Sequence, residues 1–317
     1  MKRREVLALL GTAAAGLPVS TFAQQRVPRI GVFLVAGPEL MGPYREALRE
    51  LGYVEGNNIQ IDVRSAQGHA SRLPELAADF VRSKVDIIVA SLTPAITAAK
   101  NATRDIPIVM APGGDPVATG LVASLARPGG NITGVSGIAA ELGAKSLELI
   151  REFVPAARRV GVVVNANDPF SKPLLEQIQN GAKATRFDIY PIMVRGGDEL
   201  ESAYAALARE PVDAVIMQGS LPIQPQVNLA LKYRLPTLSN QTNVAHAGAL
   251  VSYGASIAER GRQIASYIDK ILKGAKPANL PVQQPSTFEM TINLKTAKAI
   301  GLTVSPMLLA RADGVIE

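Results

Sequence analysis

The chain contains no cysteine and no tryptophan, and only two of its 317 residues are histidine. The missing thiols exclude disulfide bonds, thiolate nucleophiles and cysteine-ligated metals together. His69 lies in the polar turn Gln67-Gly68-His69 and His246 between two alanines. No metal-ligand spacing connects them, so both read as surface or capping residues. Aromatics make up 4% of the chain, too few for the stacking platforms that single-stranded nucleic acid requires. The formal charge of +6 is modest and partly concentrated in Lys2, Arg3 and Arg4, so no nucleic-acid partner is expected. Reaction signatures are missing too: there is no nucleophile elbow, no phosphate loop, no GxGxxG after a strand, and no Ser/His/Asp set near a strand end. A carboxylate pair of the glycosidase type would need one acid in an apolar context that raises its pKa, and the sequence offers none. Binding without turnover, with neither cofactor nor metal, is the expectation.

What the chain does have begins at its start. Lys2-Arg3-Arg4 precedes an apolar run around Leu7, Leu9, Leu10 and Ala13 to Ala15, followed by the small residues Thr21 and Ala23. That order is the one an export signal takes, with cleavage near Ala23, and the tandem arginines suit the twin-arginine route as well as an ordinary basic n-region. Gly11, Gly16 and Pro18 interrupt a run already shorter than the roughly 20 residues a membrane span needs. Residues 24–317 are therefore expected to work in the periplasm.

Past the signal, short β-branched runs alternate with helical patterns, the signature of parallel α/β structure. Arg29 to Val35 reads as a buried strand and Pro43 to Tyr53 as a helix. Strands at 59–65, 86–90 and 106–110 alternate with helices at 73–84 and 94–102. After the Gly-rich passage 127–137 the beat restarts: helix 142–153, strand 159–164, helix 174–187, strand 189–194, helix 199–209, strand 213–218, helix 225–233. Two doubly wound parallel-sheet lobes follow from this repetition. A long amphipathic helix (257–272), a Pro-rich stretch (276–285), a strand (288–292) and a short helix (294–300) break the alternation. They are explained most simply by a chain that recrosses to the first lobe and returns to the second.

In open parallel sheets ligands lie outside the carboxyl ends of the strands. The first lobe offers there residues 36–39, Ser91 and Thr93, and the turn Gly113-Gly114-Asp115-Pro116. The second offers Asn165, Asn167 and Asp168-Pro169, then Gln218, and then Asn240. Thr93-Pro94 reads as an N-cap followed by proline at the first helical position, a geometry that serves equally to cap the helix or to hold an anion. Asp168-Pro169 repeats the device. The Asp115 carboxylate suits either a ligand ammonium or the opening of a turn. Asn165, Asn167, Gln218 and Asn240 are neutral groups fit to orient a small polar ligand.

Several segments carry a resemblance: Leu48 to Ile59, Arg72 to Ala77, Asp86 to Ala90 and, longest, Gly114-Asp115-Pro116-Val117-Ala118-Thr119-Gly120-Leu121 continuing through Arg127-Pro128-Gly129-Gly130-Asn131-Ile132-Thr133-Gly134. Over about Arg29 to Ala310 the chain resembles the ABC-transporter substrate-binding family that includes tryptophan- and tyrosine-binding members. The resemblance implies a type I periplasmic-binding-protein fold, two lobes joined by crossings near Gly137, Gly248 and Pro285. Lobe one would comprise 24–137 and 249–284, and lobe two 138–248 and 285–317. It implies a monomeric receptor that closes on an amino acid or related carboxylate and delivers it to an inner-membrane ABC permease. Its ligand contacts would be Ser91, Thr93 and Asp115 in lobe one and Asn167 and Gln218 in lobe two, with Asn240 as a further candidate. The alternative is a sensor presenting its closed state to a membrane kinase or chemoreceptor.

Overall fold

A computed structural model describes residues 26–35, 41–137 and 139–317, so the export-signal reading and the loop 36–39 lie outside the described residues. The first sheet is built from β1 (Arg29–Leu34), β2 (Gln60–Ser65), β3 (Ile87–Ala90), β4 (Ile108–Gly113) and β5 (Ile132–Ser136), with helices α1 (Met41–Glu50), α2 (Leu73–Arg82) and α3 (Thr93–Ala102) between strands. Its order is β2-β1-β3-β4-β5, all parallel. Both faces are covered, which is why β1 reads as a continuous apolar run: Ile30 and Val32 pack into one core and Phe33 into the other.

The second sheet repeats the plan with β6 (Arg159–Asn165), β7 (Asp188–Val194), β8 (Ala214–Met217), β9 (Thr237–Ser239) and β10 (Val251–Ala255), and helices α4 (Ala139–Phe153), α5 (Ser171–Thr185), α6 (Leu200–Arg209) and α7 (Ile223–Lys232). The order β7-β6-β8-β9-β10 matches that of the first sheet, strand for strand. The helix α8 (Ile257–Leu272) follows, packed on α1 and across β4 and β5 of the first sheet. The chain then adds β11 (Phe288–Asn293), antiparallel to β10, then α9 (Leu294–Ile300), α10 (Pro306–Ala310) and β12 (Gly314–Ile316), parallel to β11.

Two strands depart from the sequence expectation. The Gly-rich passage 127–137, given no strand in the sequence reading, holds β5, after which the chain leaves the first sheet at Gly137: Gly134, at φ 123°, lets β5 approach β4 so closely that a Cβ there would fall 3.1 Å from the Met110 Cα. The expected crossing near Gly248 is also displaced. Val251–Ala255 pairs with β9 and β11 in the second sheet, so the chain leaves that sheet at Ser256. There Ser256 caps α8, and Glu259 accepts from Ser286 N, Ser286 Oγ and Thr287 N, tying two adjacent crossing segments together.

Among the described residues no helix is long and apolar enough to cross a membrane. One core position is suboptimal: Tyr204 is fully buried in the second lobe and its hydroxyl has no hydrogen-bond partner among the described residues. An unsatisfied buried hydroxyl is costly, so Tyr204→Phe is expected to raise stability by about 1 kcal/mol. A urea unfolding midpoint that falls instead would refute this.

Candidate functional site

The two sheets turn the carboxyl ends of their strands toward one another, and a cavity of ≈ 190 Å³ lies between them. A water needs about 10–15 Å³ on this scale, so the space accommodates a ligand replacing roughly a dozen waters. It sits at the switch point of each sheet, where the order turns from β1 to β3 and from β6 to β8.

The walls are mostly apolar. Leu34, Val35 and Tyr44 stand on the first-lobe side, and Phe170, Ile216 and Met217 on the second. Helix α3 starts at the first-lobe wall. Its N-cap is Leu92 at φ 68°, ψ 152°, a conformation that is rare and strained for a side chain of this size. Thr93 is therefore the first helical residue rather than the cap, and its Oγ1 accepts the Gly114 N–H at 3.1 Å. Ser91 sits beside it on the cavity wall.

Two ionisable groups stand out against this apolar surface. Arg260, in the first turn of α8, is 8% exposed. Among the described residues its Nη2 donates to Thr242 Oγ1 at 3.3 Å, its Nε is buried without a partner, and it forms no ion pair. A buried guanidinium with one weak hydrogen bond has lost its hydration for little return. Across the cavity, Asp168 is 6% exposed. Its Oδ2 accepts from Gln218 Nε2 at 2.8 Å and its Oδ1 from the Phe170 N–H at 2.9 Å. Burial pushes its pKa up, against the lowering effect of the Ser220 hydroxyl and the Phe170 N–H, and no cation balances it among the described residues. The expectation that no acid lies in an apolar context is thereby overturned. Asp168 is also not a helix cap, since α5 starts only at Ser171.

Of the residues singled out from the sequence, Ser91, Thr93, Gln218 and Asn240 line the cavity. Gln218 is engaged within its own wall: its Oε1 accepts from Asn165 N and Ser171 Oγ while its Nε2 donates to Asp168 Oδ2. The Asn240 Oδ1 is occupied by Ser146 Oγ. Asp115 and Asn167 are not part of the cavity lining. The Asp115 Oδ1 caps the Ala118 N–H in its own turn, and Asn167 is exposed with its amide on the Arg195 carbonyl. Both histidines are exposed and away from the cavity. Arg260 and Asn243, which also line it, were missed.

Comparison with known proteins supplies the rest. The profile of the ABC transporter substrate binding protein family matches residues 38–316. A tyrosine-binding protein of Clostridioides difficile is 32% identical over 263 residues, covering 81% of this chain and 75% of that protein. An ABC domain from Streptococcus pneumoniae in complex with L-Trp is 28% identical, with a TM-score of 0.83 over 91% of this chain and 99% of that one. The ligand-free, open structure of a substrate-binding protein with adhesive properties from Clostridium difficile is 26% identical over 92% and 99% of the two chains, with a TM-score of only 0.63.

Proposed function

The chain belongs to the ABC transporter substrate-binding protein family and has its type I periplasmic-binding-protein fold, and from that premise we propose that it captures one free α-amino acid with a bulky apolar side chain, extracytoplasmically, for an inner-membrane permease. The observation that carries this reading is the pair of uncompensated charges on opposite walls of an apolar cavity. Arg260 suits a carboxylate, which its planar fork binds bidentately. The positive end of α3, at Thr93, adds to the same field. Asp168 suits the ammonium. One zwitterion satisfies both, and the Tyr44, Phe170, Ile216 and Met217 surfaces remain for its side chain. The names of the two ligand-binding relatives support a large aromatic side chain there.

The lobes would open and close about the crossing segments, and a ligand touching both walls shifts the population toward the closed form by its differential affinity. Thermal unfolding tests the ligand class. L-tryptophan, L-tyrosine, L-phenylalanine and L-leucine are compared with tryptamine and indole-3-propionate, each of which lacks one charge of the zwitterion. At about 100 times the dissociation constant a true ligand adds roughly 2.7 kcal/mol, a rise of about 4–5 °C in a chain of this size. Zwitterions alone should raise the melting point. Equal shifts with tryptamine or indole-3-propionate would sink the two-charge reading.

A further inference from the structure

We infer that the Phe170 ring is the clasp that holds the lobes closed and that Gly114 is its seat, an inference that rests on the two-lobe amino-acid receptor proposed above. Gly114 follows β4 in the first lobe, and Phe170 precedes α5 in the second. The ring lies so close over the Gly114 backbone that a Cβ there would fall 2.6 and 2.7 Å from Phe170 Cδ1 and Cδ2. Real Cβ atoms do not approach carbon this closely. The Gly114 φ is not in the left-handed region, so the neighbour and not the backbone demands glycine.

Both partners are held in place. Gly114 donates its N–H to Thr93 Oγ1, and Phe170 donates its own to Asp168 Oδ1 while its ring also packs against the second-lobe core. The ring's contact with Gly114 joins residues of different lobes, so it exists only when the lobes are together. The chain's arrangement is that state: it superposes better on the L-Trp-bound relative than on the open one. A contact made only in the closed form raises the closed population and hence the apparent affinity. The clasp is also joined to the site, because the carboxylate offered to the ligand ammonium holds, through its other oxygen, the turn that carries the ring. A similar approach links Gly68 to Pro222, but Gly68 has φ 80° and needs glycine for its backbone as well. Gly114 is thus the cleaner position to alter.

The absence of cysteine makes the test direct. Glu75→Cys on α2 and Lys183→Cys on α5 introduce a spin-label pair that reads the lobe-to-lobe distance by pulsed electron resonance. Calorimetry on the same proteins reads affinity for L-tyrosine and L-tryptophan. Gly114→Ala should melt as the parent does, lose the ligand-induced shortening, and bind at least about tenfold more weakly, about 1.4 kcal/mol. Adding Phe170→Ala to Gly114→Ala should return the distances to those of Phe170→Ala alone, shorter than in Gly114→Ala, since the added methyl then has room, and this partial rescue separates a clasp from general damage. If Gly114→Ala does not fold, Phe170→Ala alone decides, and it should shift the ligand-bound distances toward the open form. Gly114→Ala closing to the parent distance, or a double variant that stays as open as Gly114→Ala, overturns the clasp. If neither amino acid binds the parent, the functional reading fails by itself. The ligand-free distances then judge the clasp: it stands if Gly114→Ala removes a short-distance population present in the parent, and falls if that population is unchanged or was never there.

Discussion

Arg260→Met is expected to weaken amino-acid binding by at least a hundredfold, about 3 kcal/mol, while leaving the ligand-free protein as stable as the parent or more so. The two halves of this result have one cause. In the free protein the guanidinium is buried with a single 3.3 Å hydrogen bond and no counterion among the described residues. Replacing such a charge with an apolar side chain of similar length removes a desolvation cost and keeps the packing of its stem. In the complex the same group would meet the ligand carboxylate in a dry cavity, where a bidentate pair is strongest. Calorimetry and thermal melting of the variant separate the effects. Arg260→Lys should recover only part of the affinity, because an ammonium cannot make the planar fork. Undiminished affinity in Arg260→Met would place the carboxylate elsewhere, with the α3 N-terminus at Thr93 as the next candidate.

The fold was legible where the sequence pattern has a local cause. Parallel strands buried on both faces must be apolar throughout, and β1, β6 and β8 show it. It was illegible where the cause is a distant neighbour. Gly134 and Gly254 each lie within a strand where another backbone passes close by: a Cβ on Gly254 would fall 3.2 Å from the Thr242 N. The sequence reading assigned no strand at β5 or β10, and the second crossing lies at Ser256 rather than Gly248. The site divided along the same line. Ser91, Thr93, Gln218 and Asn240 were found because strand ends line the cleft in any doubly wound sheet. Asp115 and Asn167 satisfied that rule, but the Asp115 carboxylate is taken up by its own turn and the Asn167 amide by the Arg195 carbonyl. Arg260 was missed because in an amphipathic helix an arginine ordinarily faces water, and only the closure of α8 over the cleft, with Thr242 beyond it, buries this one. Asp168 was read as a cap because the start of α5, two residues past Pro169, depends on the Asn165–Ser171–Gln218 network and not on the Asp-Pro pair.

That network sets up an opposing pH response. Burial raises the Asp168 carboxyl above its ordinary value of 3.8, so the folded chain keeps this proton to higher pH than the unfolded chain does. The contribution therefore favours folding at low pH and is lost as pH rises from near 3.8 to the raised value. Ligand binding runs the other way. Only the carboxylate pairs with an ammonium, so affinity is expected to fall as pH drops through the raised value. The groups against the carboxyl, the Gln218 amide, the Ser220 hydroxyl and the Phe170 N–H, are neutral, and Asp168 forms no ion pair among the described residues to mask the effect. A ligand ammonium placed there lowers the pKa again, so binding within this window should release a proton. Calorimetry in buffers of different ionisation enthalpy measures that release directly. Asp168→Asn keeps an acceptor for the Phe170 N–H and should fold normally. It is expected to bind about a hundredfold more weakly at neutral pH, with an affinity that no longer varies across the window and no proton release. A variant that keeps the parent's pH dependence would assign the titration to another group and the ammonium to another wall of the cavity.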